Sequence, residues 1–566
     1  MKKKPGRNSL CHCGSNKKYK HCCERKELSS PVRTHTSEIS ISRQLELAIE
    51  HHQHGRGTQA GDIYRQILAV DPKHADALHL SGLIAYQLGN NGSAVALIAQ
   101  AIRIRPAEAS YHYNLGVLLQ AETQLDGAAA CYRQALAIKP DYLDVFPNLG
   151  AVLHQQGRLD EAIVCYRQAL AIEPDYAVAY CNMGFTLQAQ GKLEEAIACY
   201  RQALRIAPDY AEAYCNLGVA LSESRLEESI AYYRQALAIN PDYADARFNL
   251  ALALLRLGNF EEGWQQYEAR FDLSKSVRTT IKPELSYPQW AGEDLCDKSI
   301  VVWPEQGMGD EIQSVRYISL LKALGAARIT LVCKAPLQAL FGSVQGADAV
   351  LAESAAAQLE SHDYWIFQMS LPLHFKTGLA SVPAMLPYLA AEPLKIERWS
   401  ERLPSSGLKV GLVWKGSVTH KNNVNRSLPG LSVLAPLWSV PNVTFVSLQK
   451  GQGEDEAANP PPAQPLIDLG SKMEDFSDTA AVMSQLDLII CVDTAAAHLA
   501  GALGKPCWIL LPHLGSDWRW LERRTDSPWY PGVTRLFRQS DSDGWNSTVV
   551  RLTAALQEFK RNAHAD

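Results

Sequence analysis

The chain has 566 residues, of which 47% are hydrophobic and 20% charged, a composition that excludes wholesale disorder. At roughly 100–200 residues per domain, that length holds several folding units. Lys plus Arg number 55 against 60 Asp plus Glu, so the net charge of −5 excludes nucleic-acid binding through bulk positive charge. No apolar run reaches the roughly 18–20 residues of a membrane span. The richest run, LDLIICV at 486–492, is strand-sized, so no span is expected. The start MKKKPGRNSL carries the charge of a signal peptide, but Cys, His and Lys follow where an apolar core belongs. A cytoplasmic protein with reduced cysteines is expected.

Four of the 13 cysteines crowd into LCHCGSNKKYKHCC: Cys11, Cys13, Cys22 and Cys23. Thiolate pairs on either side of a short turn suit one tetrahedral Zn²⁺, which would supply the folding free energy of so small a segment. A reactive cysteine cluster or a disordered basic tail fits the same residues. The wording GRNSLCHCGSNKKYKHCC resembles the SEC-C motif at the tail of the bacterial preprotein translocase motor, which implies structural zinc on these four thiols. Many such motifs end in Cys-His where this one ends in Cys22-Cys23. Nine Lys or Arg residues within 1–26 stand against one acid, Glu24, a balance suited to an acidic partner or RNA, or to a plain solvated tail. Residues 27–42, polar and rich in Ser and Thr, read as a linker.

From 43 to 271 the chain repeats itself. CYRQALAIKPDY at 131–142 returns at 165–176, 199–210 and, as YYRQALAINPDY, at 232–243. Prolines at 72, 106, 140, 174 and 208 are 34 apart, and the step to Pro241 is 33, which places one deletion near Ser222–Arg225. This is the period of tetratricopeptide helix-turn-helix units, about seven of them, with degenerate ends as caps. Leu149, Gly150, Ala162, Tyr166, Ala169 and Pro174 fall where one unit needs small, aromatic and helix-stopping residues. Cys131, Cys165 and Cys199 share one repeat position and read as core residues. Asn114, Asn148, Asn182, Asn216 and Asn249 recur on the first helices, which line the concave face of such an array, and an amide ladder there suits a peptide backbone.

After a connector at 272–297, strand-like runs alternate with helical stretches. They are SIVVW, RITLVC, YWIFQM, LKVGLVW, VTFVSLQ, LDLIICV and CWILLP. The pattern predicts two doubly wound α/β domains, 298–395 and 408–566, facing each other across a cleft. Ligands sit at the carboxyl ends of such strands, so three loops are singled out. GMGDE (307–311) places Asp310 at a helix start. VWKGSVTHKNNVNRSLP (413–429) carries Lys415 and Arg426, cations suited to an anionic leaving group. VDTAAAHLAGALGKP (492–506) offers a helix start with Thr494, a ready diphosphate cradle, and His498 one turn on. Arg519, in DWRWLERR, is a further phosphate partner.

Together these loops resemble the GT-B lipopolysaccharide heptosyltransferases. The resemblance implies Asp310 as general base and Asp493, Thr494, Ala495 and His498 as donor-binding residues, with Ala495 replacing the family glycine. It also implies a nucleotide-sugar donor and, absent a convincing DxD motif, no catalytic metal. Repeats running straight into a GT-B enzyme are similar in layout to protein O-GlcNAc transferases, in which such an asparagine ladder grips the acceptor. The resemblance implies a bacterial glycosyltransferase moving a hexosyl or heptosyl group to a protein or other macromolecular acceptor. A glycan-assembly transferase and a non-catalytic, nucleotide-binding scaffold are the alternatives.

Overall fold

A computed structural model describes residues 35–273, 280–540 and 544–563. The thiols Cys11, Cys13, Cys22 and Cys23 lie outside them. The chain divides into two compact units between Pro208 and Asp209.

The first unit is built of five antiparallel helix pairs, from His35–Gln53 with Gly57–Val70 to Ala177–Ala189 with Leu193–Ile206. The first helix starts at His35, inside the stretch read as a linker. One contact recurs within the pairs. A Cβ on Gly150 would lie 2.5 Å from the Tyr166 ring, and Gly116 and Gly184 stand in the same relation to Tyr132 and Tyr200. The small residue lets the two helices close until the tyrosine fills the groove, and all three rings are buried. The second helices end two residues before the repeat prolines, with the intervening residue extended, as at Lys139 and Glu173. Of the repeat cysteines, Cys165 and Cys199 are buried and Cys131 is half-buried.

The second unit opens with two more helix pairs: Ala211–Leu221 with Leu226–Ile239, and Ala244–Leu257 with Phe260–Tyr267. Two wholly parallel sheets follow. The first contains β1 (Ser299–Trp303), β2 (Arg328–Cys333), β3 (Ala349–Ala352) and β4 (Tyr364–Phe367), in the order β3-β2-β1-β4. The second contains β5 (Leu408–Val413), β6 (Val443–Ser447), β7 (Ile467–Asp468), β8 (Leu488–Val492), β9 (Cys507–Leu511) and β10 (Thr534–Arg538), in the order β10-β9-β8-β5-β6-β7. The expected succession of helical repeats and parallel α/β sheets is the one observed. Strands such as LIICV and CWILL are buried along their whole length because helices cover both faces. Strand order reverses between β1 and β4 in the first sheet and between β5 and β8 in the second, and those reversals open crevices at the carboxyl ends. The last repeat pair is not peripheral: Leu255, Phe260, Trp264 and Tyr267 share one hydrophobic core with Ile300 of β1, Ile489 of β8 and Trp518.

Gly150→Ala should destabilise the first unit by about 1–3 kcal/mol, because overpacking against Tyr166 outweighs the gain in helix propensity. Urea unfolding checks this, and an unchanged or raised midpoint would contradict it.

Candidate active site

The loops after β1, β5, β8 and β9 meet at the two crevices. After β1, Gly307 begins the short helix Met308–Ser314, and its N–H donates to Asp310 Oδ2 at 2.7 Å. The other Asp310 oxygen accepts from Arg519 Nη2. Arg519, on the loop after β9, also donates to both Asp517 oxygens at 3.0 Å and to Gln313 Oε1. Its guanidinium is buried, and the two carboxylates raise its pKa further despite the cost of burial. The two α/β layers are thereby joined by one cation, between Asp310 of the first and Asp517 of the second.

After β8, Thr494 is extended and precedes the helix Ala495–Ala502, whose start no side chain caps. The Thr494 hydroxyl instead donates to Val492 O at 3.2 Å. The helix start meets the β1 loop closely, since a Cβ on Gly309 would lie 3.3 Å from Ala495 Cα and 2.8 Å from the His498 ring. His498 is buried, stacked on Trp520 at 5.2 Å, with Nδ1 2.9 Å from the Tyr530 hydroxyl. Burial and the Arg519 charge push its pKa down to about 3, so it is a neutral hydrogen-bonding group. Asp493 is also buried. Desolvation and the Asp517 charge raise its pKa to about 7, against the opposing pull of Arg426 and Arg519.

The β5 loop supplies two cations with different circumstances. Lys415 is paired with Glu456, which also accepts from Leu431 N. Arg426 makes no ion pair among the described residues, and its buried Nε has no partner. It lies against the backbone at Gly416, where a Cβ would come within 2.8 Å of Nη2. Burial lowers its pKa, against the opposing charges of Asp493, Asp517 and Asp310. A cavity of about 660 Å³ adjoins this loop, lined among others by Lys415, Ser427, Gln452, Gln539 and Trp545.

The structure therefore gathers Asp310, Arg519, Ala495 and His498 at one junction, with Arg426 and Asp493 electrostatically coupled to it. Lys415 is neutralised by Glu456, and Arg519 is committed to two carboxylates. The reading from sequence missed Gln313, Asp517 and Gln449. Gln449 Oε1 accepts from Trp414 N and Lys415 N at 2.9 and 3.0 Å, which fixes the start of the β5 loop. Only the Asp517-x-Arg519 spacing gave a local signal for any of them. In the repeats, Asn114 Nδ2 lies 2.8 Å from His79 Nε2, and Asn148 Nδ2 lies 3.0 Å from the Tyr113 hydroxyl. Asn249 Nδ2 approaches Cys215 Sγ at 3.7 Å, and Asn216 also has a partner. The amides of Asn114, Asn148 and Asn249 tie neighbouring first helices together through Nδ2. Asn182 is half-buried on its helix.

The model described as glycosyltransferase family 9 (heptosyltransferase) matches residues 442–510, which include Asp493, Thr494, Ala495 and His498 but not Asp310, Lys415, Arg426 or Arg519. Tetratricopeptide models match 45–109, 123–157, 142–209, 175–242 and 232–265, and the SEC-C motif matches 7–25. The chain thus carries tetratricopeptide repeats, a SEC-C motif and a family 9 segment, which support a glycosyltransferase with repeat-mediated interactions. No curated protein matches it. Among solved structures, MamA is 23% identical, covering 29% of this chain and 96% of its own, with a TM-score of 0.28. YrrB, described as a tetratricopeptide protein with an unusual peptide-binding site, is 21% identical over 32% of this chain and 95% of its own, at 0.28. Pseudomonas aeruginosa PilF is 24% identical over 36% and 91%, at 0.31.

Arg519→Met should destabilise the second unit by about 3–5 kcal/mol, because it strands Asp310 and Asp517 without their cation. Denaturant unfolding followed by tryptophan fluorescence reads this, and a loss below about 1 kcal/mol would contradict the burial argument. For Asp493, the folded pKa lies above the ordinary carboxylate value of about 4, so unfolding releases a proton between about pH 4 and 7. Its contribution to stability therefore falls as pH rises through that window. Asp493→Asn should flatten the decline, and parallel stability–pH curves for the two proteins would contradict the shift.

Proposed function

We propose that the chain transfers a sugar from a nucleotide-sugar donor to a polypeptide or other macromolecular acceptor engaged by its repeats. The observation that carries this reading is Arg426, a partly buried guanidinium without an ion pair, on the loop after β5 beside the strand reversal. A buried donor left unsatisfied is costly, and a phosphate group is an anion whose oxygens a guanidinium fork matches bidentately. The uncapped start of helix Ala495–Ala502 would supply further N–H donors and a favourable dipole. Asp310 would take the proton from the acceptor hydroxyl as that oxygen attacks the anomeric carbon and the nucleoside diphosphate departs. Arg519 then holds the carboxylate in place and shares its charge with Asp517. Asp493 and His498, both buried, would shape the donor side, and Lys415 with the adjoining cavity would meet the rest of the nucleotide.

The repeats would bring the acceptor, with the asparagine side chains along the first helices meeting an extended peptide. The SEC-C thiols Cys11, Cys13, Cys22 and Cys23 form a donor set suited to structural Zn²⁺. Among the described residues no helix is long and apolar enough to cross a membrane, and the cysteines there are free thiols, as a cytoplasmic setting would keep them. One observation favours a second reading: both Asp310 oxygens already accept hydrogen bonds, which suits a nucleotide-binding module without turnover.

Nucleotide-sugar binding and hydrolysis separate the two. Arg426→Ala, and Gly416→Ala by displacing Arg426, should weaken donor binding by on the order of 10- to 100-fold. Asp310→Asn should leave that affinity nearly intact and cut turnover by about 10²–10⁴. Donor binding by the wild type without hydrolysis or transfer would support the module, and unchanged binding by Arg426→Ala would remove the arginine from the site.

A further inference from the structure

The single deletion in the repeats falls where the array meets the candidate active site. The turns at Gly157 and Gly191 pass through a left-handed glycine with φ of 76°. In the unit with the deletion the first helix ends at Leu221, and the connection Ser222–Arg225 has four residues where 156–158 and 190–192 have three, lacks that glycine and turns Glu223 toward the loop after β9. Glu223 Oε2 accepts from Gly515 N at 2.7 Å, and Oε1 accepts from Arg256 Nη1 at 2.8 Å. Arg256, on the next first helix, also binds Glu522 Oε2 through Nε and Nη2 at 3.2 and 3.0 Å, and its carbonyl accepts from Glu522 N at 3.0 Å. Between these anchors lie Asp517 and Arg519. Leu521, adjoining Glu522, is a non-glycine residue at φ of 52°, a conformation that persists only where its surroundings enforce it.

The same hold extends to the other loops. The Gly515 carbonyl accepts from Asn422 Nδ2 at 2.8 Å, and the Asn422 carbonyl accepts from Arg426 N at 3.2 Å. On the first sheet, Arg270, just past the last repeat helix, forms a buried ion pair with Glu305 at 3.1 Å and also binds Glu268 and the Ser370 hydroxyl. Gln306 Nε2 donates to the Tyr267 hydroxyl at 2.5 Å. Glu305 and Gln306 immediately precede the turn that carries Asp310.

We propose that the terminal repeats are part of the catalytic machinery, with Glu223, Arg256 and Arg270 as positioning residues for the loops that bear Arg519, Arg426 and Asp310. The proposal rests on the reading of this cleft as the transfer site. It differs from a recruiting role for the repeats because it concerns residues that need touch no acceptor. Carboxylate and guanidinium pairs that span loops distant in sequence fix geometry at a point where a displacement of about 1 Å is worth a large factor in rate.

The test uses the full chain and the variant Glu223→Ala, with Arg256→Gln as a second variant and Arg234→Gln as a control. Arg234 pairs with Glu262 on the exposed side of the same repeats. Hydrogen exchange should quicken on the order of 10-fold at 513–524 in Glu223→Ala, with β5 and β8 unchanged. With nucleotide sugar as the probe, kcat for hydrolysis should fall on the order of 10-fold at unchanged donor KM. Glu223→Gln, which keeps an acceptor for Gly515, should recover most of the loss, and Arg234→Gln should match the wild type. Unchanged exchange at 513–524 would overturn the proposal, as would faster exchange with unaltered kcat. A wild type that binds no nucleotide sugar would overturn the transferase reading instead, while the exchange comparison still decides whether the repeats hold the loop.

Discussion

Arg519 is the residue on which the arrangement of the second unit turns. It is nearly buried and cannot shed its charge, so it requires carboxylates close by, and it has two: Asp310 from the layer of β1 and Asp517 beside it in sequence. Removing both partners would leave a buried cation, since the Arg519 side chain is only 3% exposed. The two sheets are therefore fixed against each other where both present their carboxyl-terminal loops. Gly309 completes the approach, because a side chain there would strike His498 and Ala495.

Around that ion pair the electrostatics separate into satisfied and unsatisfied groups. Arg519, Lys415 and Arg270 each have a carboxylate partner, and Arg316 is held by the carbonyls of Gln313, Pro383 and Trp529 and the Tyr388 hydroxyl. Arg426 alone among the cations of the cleft loops has its Nε buried without a partner. His498 is neutral and Asp493 is drawn toward its neutral form, so neither adds a full charge beside the helix start at Ala495.

Much of the fold was legible in the sequence because its signals are local. The 34-residue period marks helix pairs, and the Gly150–Tyr166 contact joins residues sixteen positions apart that recur in other units. Buried parallel strands announce themselves as unbroken apolar runs such as LIICV. The short edge strands β3 and β7 were not legible, since AVLA and ID carry too few residues for a pattern, and β10 lay hidden in RLFRQ. The three cleft loops were found from their place after strands. The partners within them were not, because Asp310 and Arg519 lie 209 residues apart and Gln313 and Arg519 lie 206 apart. No local pattern shows that Arg519 is committed to carboxylates while Arg426 is left without an ion pair. The deletion at Ser222–Arg225 was visible as a count, but the contact of Glu223 with Gly515, 292 residues away, was not.

On the proposed function, a donor diphosphate lies between Arg426 and the start of the helix Ala495–Ala502 while Arg519 stays on Asp310. A crystal structure of the full chain with a nucleoside diphosphate tests it most directly. Phosphate oxygens should lie at roughly 2.7–3.2 Å from the Arg426 guanidinium and from the N–H groups at the helix start, with the Asp310–Arg519 pair intact. A diphosphate bound away from Arg426, or one that draws Arg519 off Asp310, would contradict it.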